Sequence, residues 1–131
     1  MTFLKMRESV ALLFAAVALL TACQGSNTSF AFSAVSAEIA MQSDATLDVR
    51  LVDKSTGNLV DDAVIFESRF DMSPDAMGAM TAPAEAQGSP SPGVYRFKVS
   101  PTMAGRWALT LSAKVQGVDE TVTGVVVVTV R

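Results

Sequence analysis

Three closely spaced methionines are the residues in this sequence best suited to binding a metal ion. The stretch FDMSPDAMGAM, which we predict to be a loop between two strands, contains Met72, Met77 and Met80, and Met103 follows in the turn SPTMAGRW. A thioether sulfur is a soft ligand that suits Cu(I), and by extension Ag(I), whereas hard ions prefer carboxylates. We therefore predict a soft-metal site formed by Met72, Met77 and Met80, with Met103 as a fourth ligand. The alternative is that these side chains fill gaps in irregular packing, as methionine often does.

The only cysteine lies at the end of a segment that is typical of a secretion signal. Lys5 and Arg7 precede an apolar run over 10–20, which is shorter than the roughly 20 residues that span a bilayer as a helix, and LTAC ends at Cys23. LTAC resembles the lipobox of bacterial lipoproteins, which implies cleavage before Cys23 and acylation of its thiol, for example with palmitate. By the same resemblance, Gln24 favours the outer membrane. An ordinary signal peptide with an incidental cysteine is the alternative.

The composition argues against catalysis and against nucleic-acid binding. The chain has no histidine, so the usual general base and the commonest metal ligand are both missing. A lipidated cysteine is not available as a nucleophile. The formal net charge is −3 and no basic cluster is present, so nucleic acid is not an expected partner. We predict that the protein is not an enzyme.

Pairs of carboxylates are the remaining candidates for acid–base chemistry. A glycosidase needs two of them facing one cleft, roughly 5 to 10 Å apart. The pairs in this sequence lie in predicted turns, where acidic side chains are usually solvated. They are Asp61 with Asp62, Asp71 with Asp75, and Asp119 with Glu120.

Alternating apolar and polar residues predict an all-β domain. In ATLDVRLVD, for example, Leu47, Val49 and Leu51 share one face of a half-buried strand. Turn signals recur every 8 to 12 residues or so, which is typical of a β-sandwich. We predict an immunoglobulin-like β-sandwich of about seven strands. Five strands are predicted at 45–53, 63–70, 93–100, 106–115 and 120–130, and two weaker ones at 34–41 and 81–87.

The domain organisation follows from the signal segment and the strand pattern. Residues 1–22 are predicted to be the lipoprotein signal peptide. Residues 23–33 form the lipidated N-terminus and a polar tether, and residues 34–131 form one sandwich domain, a length that suits a single hydrophobic core.

The region from residue 45 onward resembles the YtkA-like family, whose relatives include the FixH-type periplasmic domains. The matching residues are FDMSPDAMGAM and SPSPGVYRFKVSPTMAGRWALTLSAKV, in which Gly93-x-Tyr95 and Gly105-x-Trp107 follow two turns. The resemblance implies that Tyr95 and Trp107 pack in the core and that the glycines form turns. It also implies an association with heavy-metal efflux or copper-oxidase assembly. Because histidine is absent, only the thioether site remains as a copper site.

Together these features predict a lipid-anchored, periplasm-facing accessory protein that handles copper or silver through the methionine-bearing segment. Cu(I) or Ag(I) is the only cofactor candidate, and a membrane transport or oxidase-assembly complex is the candidate partner. The alternative is an interaction module without a metal, which docks on such a complex through an exposed strand edge or the methionine segment.

Overall fold

Two packed β-sheets account for the architecture of residues 29–131, the part of the chain that the computed structural model describes. The sheets contain four strands in the order β1-β3-β7-β6 and five strands in the order β2-β9-β8-β4-β5. This confirms the predicted all-β sandwich. The strands are β1 Phe30–Ala34, β2 Glu38–Ile39, β3 Ala45–Asp53, β4 Val64–Met72, β5 Met77–Ala82, β6 Ala84–Ala86, β7 Val94–Val99, β8 Gly105–Lys114 and β9 Val122–Val130, with a 3-10 turn at Ser73–Asp75. No helix within these residues is long and apolar enough to span a membrane.

The core lies between the sheets and is built from alternate residues of the long strands. Leu47, Val49 and Leu51 of β3 are buried, and the intervening side chains are more exposed. On the opposite sheet, Trp107 of β8 stacks on Phe70 of β4, with ring centroids 4.8 Å apart. A fully buried aromatic pair of this kind removes a large apolar area from water and fixes how the two strands pack. The predicted core role of Trp107 is confirmed.

The two weaker predicted strands each turn out to be a pair of short strands that cross between the sheets. β1 pairs with β3 in the first sheet, and β2 pairs in parallel with β9 in the second. Likewise, β5 pairs with β4 and β6 with β7, and Pro83 lies at the crossing. This is why residues 29–131 contain nine strands where about seven were predicted. The sandwich also begins earlier than the predicted boundary, because Phe30 lies within the segment assigned to the tether.

The chain enters the sandwich at the end opposite the methionines. Phe30, the first residue of β1, pairs with Asp53 at the end of β3. At the other end of β3, Ala45 pairs with Val99, which leads into the turn that contains Met103. A nine-residue strand is about 27 to 30 Å long, so the two ends of the sandwich are separated by roughly that distance.

Candidate functional site: the methionine end of the sandwich

The methionine-bearing segment is a β-hairpin, not the loop that the sequence suggested. Met72 is the last residue of β4 and Met77 the first of β5, and the two are partners in the antiparallel register. The Ser73–Asp75 turn connects them, and the Ala76 amide donates to the Ser73 carbonyl at 3.0 Å. The predicted loop assignment is therefore wrong. Backbone pairing holds Met72 and Met77 in fixed relative positions.

The four candidate methionines differ in accessibility. Met72 is 1% exposed and belongs to the core, whereas Met77, Met80 and Met103 are each 38% exposed. The site set predicted from sequence therefore divides into one core residue and three accessible thioethers. Since methionine that fills a core gap is buried, packing accounts for Met72 but not for the other three.

Gly105 links Met72 to the turn that carries Met103. A Cβ atom added at Gly105 would lie 2.6 Å from the methyl carbon of Met72. Met103 is two residues earlier, and its carbonyl accepts a 3.0 Å hydrogen bond from the indole nitrogen of Trp107. Met72, Met77 and Met103 are thus brought to one end of the sandwich.

Met80 lies farther along β5, in an irregular part of the hairpin. Thr81 pairs with Asp71 and Met77 pairs with Met72, so Gly78, Ala79 and Met80 have no register partner in β4. Such a bulge redirects the side chains that it contains. The structure therefore presents Met80 on a segment that is not constrained by strand pairing with β4.

Two arginine–aspartate pairs fix the hairpin. Arg69 donates from Nε to Asp71 at 2.7 Å and from a terminal nitrogen to the Gly78 carbonyl at 2.9 Å, which ties β4 to the bulge. Arg106 donates to Asp75 at 2.8 Å from both its backbone nitrogen and Nε, and also reaches the Pro74 carbonyl. Together these contacts attach the 3-10 turn to β8.

The prediction that Asp71 is a solvated acid in a turn is wrong, because Asp71 is in β4 and only 5% exposed. Hydrogen bonding by Arg69 lowers the pKa of the Asp71 carboxyl, against the opposing effect of burial, and Ser73 contributes further. The backbone N–H of Arg106, followed by its guanidinium, lowers the pKa of Asp75. Sequence analysis missed this network, although Asp71 two residues before Ser73 is the spacing at which an Asp side chain accepts from the backbone amide.

The donor chemistry at this end is that of thioethers. Within residues 29–131, no three His, Cys, Asp or Glu side chains are grouped so that they could hold a metal ion. The nearby Asp75 carboxylate is occupied by Arg106. Met77, Met80 and Met103 therefore fit a soft monovalent ion better than a hard divalent one. Metal binding by the four methionines stays a prediction, and Cys23 lies outside the described residues.

The comparison with known families gives one match, to the YtkA-like family over residues 26–112. This chain belongs to the YtkA-like family. No curated protein and no solved structure matches it. The YtkA-like match includes the methionine hairpin and the Gly105-x-Trp107 motif, and it ends within β8. Membership of the YtkA-like family suggests an accessory protein of the cell envelope.

Proposed function

We propose that this YtkA-like protein is a lipid-anchored accessory of the cell envelope that binds one soft monovalent metal ion, Cu(I) or Ag(I), at the methionine end of its sandwich. The observation that carries the proposal is the partial exposure of Met77, Met80 and Met103 at one end of the sandwich. Because these side chains are only partly buried, the hydrophobic effect stabilises them less than it stabilises Met72. Family membership adds the envelope context.

The direction of the chain supports a metal site that faces away from the membrane. Residues reach the sandwich at Phe30, at the end of β3 opposite Met103. A lipid on Cys23 would place the membrane on the Phe30 side, and the methionine end would project into the periplasm. In that orientation the site is open to exchange with soluble carriers or with a membrane transport or oxidase-assembly complex. The proposed role is binding and transfer, without catalysis.

Methionine ligation at this end also explains why the site would function without histidine. Thioethers bind soft ions without losing a proton, so occupancy should change little over the pH range in which imidazole ligands become protonated. Affinity that is nearly constant between about pH 7 and pH 5 is the expected signature, in contrast to the fall expected for a histidine site.

The test is a competition titration of the domain from Gly25 onward against a Cu(I) chelator. We expect uptake of one Cu(I) per chain and none of Zn(II), which prefers nitrogen and thiolate ligands. Replacing Met77, Met80 and Met103 with leucine should abolish uptake, while near-isosteric leucines keep stability within about 1.5 kcal/mol.

Two single variants complete the titration. Met41→Leu tests how specific the set is, because Met41 is also exposed and follows β2 at the same end of the sandwich, with β9 between β2 and β8. We expect this variant to leave uptake unchanged. Met72→Leu measures whether the buried sulfur contributes. Unchanged uptake in the triple variant would refute the proposed site.

A further inference from the structure

The first half of β4 has an unpaired edge. β4 pairs with β8 from Val64 to Asp71, but β5 pairs with it only from Phe70 to Met72. Within residues 29–131 no strand pairs through its backbone with the other side of 64–69, because the chain crosses to the other sheet at Pro83. The Ser68 hydroxyl donates to the Ala84 carbonyl of β6 at 3.4 Å, close to the crossing. A row of free backbone donors and acceptors is the usual template for adding a strand.

This edge carries apolar side chains where edge strands usually carry charge. Val64 is 65% exposed and Phe66 is 56% exposed. A bulge in the pairing with β8 leaves Phe66 without a register partner in that strand. An incoming strand would therefore gain contacts with Val64 and Phe66 as well as backbone hydrogen bonds.

A pocket lies beside the same edge, between the two sheets. Its volume is about 270 Å³, and its apolar lining includes Ile65 of β4 and Phe97 of β7. Tyr95 also lines it, with its hydroxyl donating to the Val60 carbonyl at 2.7 Å. The pocket is large enough for one aliphatic or aromatic side chain, and strand addition places alternate side chains of the added strand toward such pockets.

The charge around this edge is negative. Asp61 and Asp62 precede β4 and Glu67 is within it, and none of the three forms an ion pair within residues 29–131. Two of the neighbouring bases are paired with acids outside this group, Arg69 with Asp71 and Arg96 with Asp48. Lys114 donates to the Asp119 carbonyl and keeps its charge, so it offsets one of the three acids. A basic segment therefore complements this edge, whereas a second copy of the chain would bring the same acids together.

We propose that the edge at 64–69 binds an extended segment of a partner protein, which adds a strand to the five-stranded sheet. The segment alternates apolar residues, inserts one of them into the pocket beside Tyr95 and Phe97, and carries Lys or Arg at the end that meets Asp61 and Asp62. This inference goes beyond the metal proposal and does not depend on it, because it rests on Val64, Phe66 and the nearby acids and on none of the four methionines. It gives the interaction-module alternative a defined surface.

The experiment uses two synthetic nine-residue peptides that share a core of alternating valine and threonine. One ends in lysines and the other in glutamates. Binding to the full chain in a mild detergent, without added metal, is measured by fluorescence anisotropy at low salt. The lysine peptide should bind at least about tenfold more tightly, and added salt should reduce the difference. On binding, amide hydrogen exchange over 64–69 should slow.

Matched variants distinguish binding at this edge from nonspecific binding to exposed apolar residues of the sheet. Val64→Lys with Phe66→Lys should weaken binding about tenfold or more, since charge on an edge opposes strand addition. Val125→Lys with Val127→Lys should leave it unchanged, because these β9 residues are similarly exposed but lie on a strand separated from β4 by β8.

Charge reversal provides the second test. Asp61→Lys with Asp62→Lys should invert the preference toward the glutamate peptide. Equal binding of both peptides, or binding that survives Val64→Lys with Phe66→Lys, would overturn the proposal. So would dimerisation of the full chain that these two lysines abolish while neither peptide binds, because the edge would then belong to a second copy.

Discussion

Gly105→Ala tests whether the methionine end is packed as described. Gly105 has a φ of +142°, a conformation that residues with a Cβ rarely adopt, and the strain of such a backbone is about 1 to 3 kcal/mol. The added Cβ would also lie 2.6 Å from the Met72 methyl carbon and 2.9 Å from an Asp75 carboxylate oxygen. Because the Asp75 carboxylate accepts hydrogen bonds from Arg106, it cannot move away from the added Cβ without breaking them. Overpacking of this kind adds about 1 to 3 kcal/mol, so we expect a loss of about 2 to 6 kcal/mol in the free energy of unfolding.

Gly117→Ala is the matched control for this prediction. Gly117 also has a positive φ, +81°, but no atom lies within 4 Å of the added Cβ. Only the backbone strain should remain, about 1 kcal/mol. Urea denaturation of the domain from Gly25 onward, followed by tryptophan fluorescence, gives both values. Equal losses in the two variants would show that Met72 and Asp75 do not pack against Gly105.

Three further predictions concern single residues. Asp71→Asn should lower stability at neutral pH and make it depend less on acid. A carboxyl with a lowered folded-state pKa adds stability that is present above the unfolded pKa, about 3.9, and lost as the pH falls through the folded pKa. The free energies of unfolding at pH 7 and pH 3 should therefore differ less in the variant than in the unaltered protein. Tyr95→Phe should lower the free energy of unfolding in urea by about 1 to 3 kcal/mol, because the hydroxyl accepts from the Ala63 amide and donates to the buried Val60 carbonyl. A loss below about 0.5 kcal/mol would contradict this. Cys23→Ala should abolish palmitate labelling in cells, and a labelled variant would contradict the predicted lipoprotein.

The sequence was sufficient to predict the sheets but not their edges. β3, β7 and β8 have one face in the core, so apolar residues alternate along most of their length, with buried Ala108 of β8 as an exception. Their predicted bounds agree with the structure within one residue at each end. The short strands pair with different sheets over two to six residues, too short for a period of two to be recognised. Their positions depend on contacts with β9 and β4, which are distant in sequence.

The candidate site was predictable in residue type but not in accessibility. The spacing of Met72 and Met77 placed both residues in one segment, but it could not show that they are strand partners, because the turn between them depends on Arg106 from β8. Nor could it show that Met72 is buried, since burial depends on Gly105 leaving room for its methyl group. Long-range packing therefore decided which sulfurs remain accessible.

The most direct test of the proposed metal site is NMR of the domain from Gly25 onward with ¹³C-labelled methionine methyl groups, titrated with Ag(I). We predict that the Met77, Met80 and Met103 methyl signals shift together and saturate at one Ag(I) per chain. The signal of Met41, which is exposed at the same end but follows β2 on the far side of β9, should shift less. A titration that moves Met41 as much as the other three, or that moves none of them, would contradict a thioether site at the methionine end.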